Sequence, residues 1–283
     1  GAGYPSHWYW NDVGITQPYP PVHFDNYQST TLELLMQLDD YYLGYYYFIS
    51  PLGTSRTITV TADTSYILDV KVIPEGAYSG TFLDTSLYHS GLIPVDQPFG
   101  RHPWNYYGYE CVSSIPDSVV DWVLLELRDA PTASQAGSNT VKERKAAFLK
   151  YDHTITGLDG ITPVQFDSTY ANGLFLVVYH RNHIPVMSSS PLSIQNSKYS
   201  YDFTLPGQAY GGGEKNINGV YVMYGGDANA DGKVNDDDRL QWKTEAGKQG
   251  YLQSDLNVDG QADNKDKDEI WIENNGIISV VPE

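Results

Sequence analysis

Two twelve-residue stretches near the C-terminus restrict this 283-residue chain more than anything else in it. The first places side-chain oxygens at its positions 1, 3, 5, 9 and 12, on Asp227, Asn229, Asp231, Asn235 and Asp238, with Gly232 at position 6. Lys233, at position 7, offers its backbone carbonyl and can point its side chain away. The second stretch repeats the scheme 28 residues later: Asp255, Asn257, Asp259, Asp263 and Asp266, with Gly260 at position 6 and Gln261 at position 7. A hard cation takes roughly six to eight oxygen ligands, and the chain around it must turn sharply at the glycine. A solvated Asn/Gly-rich loop would account for one such match, but two copies in register argue for two bound ions. No His or thiolate accompanies the oxygens, which selects Ca2+.

Each loop runs into a segment that reads as a short helix, 239–246 and 267–275, with Leu240, Trp242, Ile270 and Trp271 as apolar anchors. So small a core needs the ions to hold its shape, so the two Ca2+ are expected to be structural. At the millimolar calcium found outside cells such sites stay filled.

Charge and composition bound the rest. The net charge is −18, and residues 227–283 alone hold 14 acids against 6 bases. An acidic chain is a poor partner for nucleic acid or an anionic membrane surface. No apolar run approaches the roughly 18 residues of a membrane span, so membrane insertion is not expected. Cys111 stands alone, which leaves no intramolecular disulfide, and reads as a buried small apolar residue. The chain opens Gly-Ala-Gly rather than on Met, which suggests a removed leader or tag.

Ahead of the acidic segment, residues 57–60, 67–73, 119–127, 146–149 and 174–179 are short runs rich in Val, Ile, Leu, Tyr and Thr. Clusters of Gly, Pro, Asn, Asp and Ser separate them. Without intervening amphipathic helices, they predict an all-β fold, an Ig-like antiparallel β-sandwich carrying a small C-terminal calcium module with EF-hand-type loops. Residues 30–47 fit either a short helix or a strand, and the Tyr-rich continuation favours strand. The expected organisation is an aromatic N-terminal extension with strands over 1–64, a sandwich over 65–210, a Gly-rich linker over 211–225 and the calcium module over 226–283.

Paired loops of this kind, each followed by a short helix, resemble type I dockerin repeats over about residues 226–276. The resemblance implies calcium at the two acid sets named above, and a partner domain docked by the helices. Such modules often carry Ser/Thr pairs at loop positions 10 and 11, where this chain has Asp236-Asp237 and Asn264-Lys265. Upstream, IPEGAY (73–78), GLIP (91–94) with Gln97-Pro98, VDWVLLELR (120–128) and HRNH (180–183) are similar to segments in a C-terminal region of secreted surface proteins from Bacteroidetes-type bacteria. That resemblance spans about residues 65–276. It implies an extracellular, cell-surface setting and no catalytic activity.

Among catalytic candidates, Glu126 and Glu110 could serve as a glycosidase acid. The plainer reading of Glu126 is an ion pair with Arg128 or Arg181. His180 and His183, three apart, fall on opposite faces of a strand unless the chain turns, and read as a packed or hydrogen-bonded pair. No nucleophile elbow or phosphate-binding glycine motif is present. A non-enzyme is therefore expected.

Two non-enzymatic roles remain. Trp104, Tyr106, Tyr107 and Tyr109 form an aromatic loop whose rings could stack on glycans. Alternatively, copies of the chain could assemble. The aromatic, proline-broken segment 1–28, with Trp8, Trp10, Tyr19 and Phe24, needs a surface to lie on, and 276–282, with Ile277 and Val280, is β-prone. Strand addition between copies would use both ends and could build a filament. Self-association is the favoured expectation, glycan binding the second and a dockerin-like adaptor the third.

Overall fold

A computed structural model describes residues 45–49, 55–59, 66–166, 170–195 and 198–283. The chain divides into two compact units, Gly1–Ala62 and Asp63–Glu283. In the first, β1 (Tyr45–Ile49) and β2 (Ser55–Thr59) form an antiparallel hairpin that pairs Tyr45 with Thr59 and Ile49 with Ser55. Trp8, Trp10, Tyr19 and Phe24, and with them the expected assembly surface, lie outside the described residues.

The second unit is mostly sheet. Its strands are β3 (Tyr66–Lys71), β4 (Val119–Ala130), β5 (Val141–Lys150), β6 (Ile155–Thr156), β7 (Val164–Phe166), β8 (Gly173–His180), β9 (His183–Met187), β10 (Ser193–Gln195) and β11 (Lys198–Asp202). A last hairpin joins β12 (Lys215–Ile217) to β13 (Val220–Val222). One sheet runs β6-β5-β4-β8-β9, antiparallel throughout. The other runs β10-β11-β3-β7 and departs from the antiparallel expectation at one seam, where β11 lies parallel to β3. Both sheets feed one apolar cluster: Leu68 and Val70 from β3, Tyr199 and Tyr201 from β11, and Trp122, Leu124, Phe148 and Leu176 from the five-stranded sheet. The arrangement is compatible with a β-sandwich.

Strand β4 is the spine. Every one of its twelve residues is buried, as expected for a central strand covered on both faces. Trp122 stacks on Phe148 at 4.1 Å, and its indole N–H donates to the Pro94 carbonyl at 2.8 Å. The strand also carries Asp121, Glu126, Arg128 and Asp129 into the interior. Buried charges need partners, and each has one. Glu126 takes Arg128 at 2.7 Å and Arg144 at 2.5 Å, while Asp129 accepts two backbone N–H groups, from Ala171 and Asn172.

Residues 211–225, expected as a Gly-rich linker, instead carry the β12–β13 hairpin, with Val222 and Met223 in the main core. The Met223 N–H donates to the Ile73 carbonyl, and the Glu75 N–H to that of Met223. The glycines serve close packing: a Cβ on Gly213 would come within 2.9 Å of Val280. Cys111, expected to be buried, is exposed. It lies on the hairpin-like stretch in which Gln97 N–H donates to Glu110 and Val112 N–H to Val95, and its side chain alternates outward.

Candidate metal centre

The two oxygen-rich loops fold alike. In the first, Asp227 accepts the N–H groups of Asp231 and Gly232, both at 3.0 Å, and Asp238 accepts those of Asn229 and Asn235 at 3.1 and 2.7 Å. In the second, Asp255 accepts from Asp259 and Gly260 at 3.0 and 3.1 Å, and Asp266 from Asn257 and Asp263 at 3.0 and 2.7 Å. The same positions, 1 and 12, thus close each loop over the same backbone donors. Asn229 and Asn257 also cap the same turn, each accepting the N–H two residues on.

Backbone strain repeats as well. Position 6 is left-handed in both loops, at φ 83° for Gly232 and 90° for Gly260, as glycine permits. Position 4 is left-handed too, at φ 59° for Ala230 and 61° for Val258. A β-branched residue rarely adopts that conformation, and strain of this kind persists where the surroundings over-determine it.

The residues fit a hard cation. Each loop presents carboxylate and amide oxygens at positions 1, 3, 5, 9 and 12 and a carbonyl at position 7, on Lys233 or Gln261. Burial pushes the carboxyl groups of Asp238 and Asp266 up to about 6 and that of Asp255 to about 7; burial, then the charge of Asp238, raises Asp227 well above the ordinary range. Buried acids crowded in this way favour a bound cation. No group of three or more His, Cys, Asp or Glu side chains among the described residues converges on one point. The carboxylates turn to backbone N–H groups, and amides and carbonyls make up three of the six oxygen positions in the first loop and two of the six in the second.

The loops are tied to each other crosswise. After the first loop, α2 (Asp236–Glu245; α1 is the short helix Ser86–His89) begins on a capping box, with Asn235 as N-cap. Trp242 in this helix donates its indole N–H to the Asp263 carbonyl of the second loop at 2.7 Å. Trp271 donates to the Asn235 carbonyl of the first at 2.8 Å. The loops repeat every 28 residues, yet 29 separate the two tryptophans. A π-turn over Asp266–Trp271, continued by α3 (Ile272–Asn274), absorbs the extra residue. Leu240, expected as an anchor, faces outward and is 60% exposed, whereas Ile270 and Trp271 are buried beside Ala228, Val234 and Leu256.

The C-terminal strip is laid on this frame. Val234 N–H donates to Ile277, Gly276 N–H to Val234 and Ser279 N–H to Gly232, so Ile277 and its neighbours pair with the first loop. Val280 packs over Gly211 and Gly213, and Arg128 holds the Pro282 carbonyl at 2.6 Å. Expected as a free strand for a neighbouring copy, the strip is engaged within its own chain, because positions 6 to 8 of the loop offer it an unpaired backbone edge.

The second loop is anchored in the sandwich by charge. Arg181, fully buried, donates to Asp121 at 2.8 Å and to Asp255 at 3.2 Å, binds the Leu252 carbonyl, and stacks over Tyr251 at 4.5 Å. Asn182 donates to the Gln253 and Asp255 carbonyls. Burial opposes the charge of Asp121, but Arg181 and His180 outweigh it and hold the carboxyl below its ordinary range. His180 and His183 face each other because Arg181 and Asn182 form the turn between β8 and β9. Their Nδ1 atoms lie 3.0 Å apart. Gly76 N–H donates to His183 Nε2, so His183 carries its proton on Nδ1 and His180 donates its Nε2–H to Asp121. Burial keeps His183 neutral. The pair is packed and hydrogen-bonded.

Glycines mark the contact. A Cβ on Gly76 would lie 1.8 Å from the Leu256 carbonyl oxygen, and one on Gly260 would lie 2.7 Å from Leu92. The four upstream segments singled out in the sequence therefore meet at one place: Gly76, Leu92, Asp121 and the 180–183 turn all bear on the second loop or its anchor.

The aromatic candidates divide. Trp104 is buried edge-on against Phe99 at 5.1 Å, and Tyr106 turns inward to Glu110, so neither is free to stack on a sugar. Tyr107 and Tyr109 alternate to the outer face and are 74% and 98% exposed.

No protein-family model matches the chain, and no curated protein matches it. Among solved structures, it is similar to a C-terminal interface mutant of a type II cohesin–X–dockerin complex from Acetivibrio cellulolyticus. Identity there is 12% over 76% of this chain and 97% of that chain, with a TM-score of 0.37. The N-terminal interface mutant of the same complex gives 12% over 76% and 96%, with a TM-score of 0.33. Among the described residues no helix is long and apolar enough to cross a membrane.

Proposed function

We propose that the chain is a non-enzymatic structural module of an extracellular, cell-surface protein, held together by two calcium ions, and that copies of it associate through the aromatic segment 1–28. The duplicated loop carries this reading: two sets of ligand residues, with the same hydrogen bonds and the same strained positions, on one buried frame. Glu126 supports the non-enzymatic part, since two guanidinium groups hold its carboxylate.

Calcium at a hundred times its dissociation constant adds about 2.7 kcal/mol per site. Thermal unfolding followed by circular dichroism is therefore expected to shift upward in millimolar calcium relative to chelator. A melt indifferent to both contradicts the proposal. For assembly, the chain lacking residues 1–24 should sediment as a monomer that keeps its calcium-dependent melt, and continued polymerisation of the truncated chain counts against it.

A second reading rests on Tyr107 and Tyr109. Two exposed tyrosines two residues apart, separated by the less exposed Gly108, offer rings that can stack on a glycan. A glycan array probed with the protein and with Tyr109→Ala should show binding that the substitution removes; uniform silence rejects this reading.

A further inference from the structure

Glu75, Lys215 and Asn274 come from three distant parts of the sequence and meet beside the first calcium loop. Glu75 opens a 3-10 turn after the buried Ile73, Lys215 begins β12 and Asn274 ends α3. Lys215 Nζ lies 2.5 Å from Glu75 Oε1 and 3.0 Å from Asn274 Oδ1. Asn274 Nδ2 lies 2.5 Å from Glu75 Oε2 and 2.9 Å from the Gly225 carbonyl, and Gly225 N–H also donates to Glu75 Oε2. Asn274 is 1% exposed, and the Glu75 side chain 8%.

This is more than an ion pair. One carboxylate bridges an amine and a carboxamide, one oxygen on each; the carboxylate and the carboxamide are buried, and the lysine is 26% exposed. With C=O about 1.2 Å long, Nζ is within about 4.2 Å of the Asn274 carbonyl carbon whatever its direction of approach. A near-attack arrangement needs about 3–3.5 Å, so a shift of no more than about 1 Å brings the amine within reach of that carbon. The second calcium repeat also departs here from the first. Allowing for the residue added by the π-turn, Asn274 corresponds to Glu245, whose carboxylate accepts from Gln241 Nε2 and from the hydroxyl and N–H of Ser254. The second repeat has placed an electrophilic amide opposite a lysine.

We propose that Lys215 and Asn274 join in an intramolecular isopeptide bond, with Glu75 as the proton relay. Lys215 Nζ gives a proton to Glu75 Oε1, and its freed lone pair attacks Asn274 Cγ to form the new C–N bond. Rotation of the Glu75 carboxyl about its Cγ–Cδ bond carries that proton on Oε1 to Nδ2, the Cγ–Nδ2 bond breaks with its electron pair, and the nitrogen leaves as ammonia. The second proton shed by Nζ follows by the same carboxylate, so lysine ammonium and asparagine amide become one secondary amide and one ammonium ion. No oxidant, reductant or cofactor is required. The bond closes a 59-residue span that contains both calcium loops, which limits how far that span can open on unfolding.

The test is the intact mass of the purified full-length chain under denaturing conditions. The expected value is the sequence mass less one ammonia, with a branched peptide joining Lys215 to Asn274 after proteolysis. Lys215→Arg should restore the full mass in a folded protein, and Glu75→Gln should do the same. Should Glu75→Gln fail to fold, Lys215→Arg still decides, since it keeps the ion pair and removes the nucleophile. A folded wild-type chain of unreduced mass overturns the proposal. So does an ammonia loss that survives Lys215→Arg, which would place it at a succinimide of Asn275-Gly276 instead.

Discussion

Arg181→Met should destabilise the protein by about 3–5 kcal/mol, because it leaves Asp121 buried with its principal counter-charge removed. The guanidinium touches both the spine strand and the second loop: it binds Asp121, Asp255 and the Leu252 carbonyl together. His180 is a weak substitute, since it reaches Asp121 through a single contact at 3.2 Å, whereas Arg181 reaches it at 2.8 Å. Denaturant titration should therefore show a lower midpoint at an unchanged slope. Combining it with Asp121→Asn should recover part of the loss, since the stranded charge is then gone. If Arg181→Met unfolds at the wild-type midpoint, the second loop is not anchored through this residue.

A comparison of Asp227→Ala with Asp255→Ala separates the two roles of the loops. Both substitutions remove the position-1 carboxylate and strand the backbone N–H groups it accepts, so each should abolish its own ion. Only Asp255 also faces Arg181. Asp255→Ala is accordingly expected to cost about 1.5–3 kcal/mol more in chelator, the worth of a hydrogen bond to a charged group. Equal losses in the two variants would mean that the bond to Arg181 contributes nothing to the fold.

The sequence made some of this legible and hid the rest for identifiable reasons. The loops were readable because their chemistry is local: twelve consecutive residues supply every proposed ligand, and the glycine turn sits at a fixed offset. Runs such as 119–127 and 174–179 fell on β4 and β8 because aromatic and β-branched residues between turn signals leave few alternatives. The anchoring of the second loop was not readable. It joins residues 60 and 74 positions apart, from Asp121 to Arg181 and on to Asp255, and no local period records such pairs. The His180–His183 pair shows the same limit: strand periodicity puts the two on opposite faces, while a turn at Arg181-Asn182 makes them partners. Glycine content misled at 211–225, where small residues admit Val280 rather than loosen the chain. Trp104 and Tyr109 lie five residues apart in one aromatic run, yet one packs on Phe99 and the other meets solvent.

Two calcium ions are proposed to reside in the paired loops. Elemental analysis of the protein, equilibrated in millimolar calcium and then desalted, tests this proposal most directly. Two calcium ions per chain are expected, one in Asp227→Ala and one in Asp255→Ala. A chain that retains no calcium, or one whose calcium content is the same in both variants as in the wild type, would contradict it.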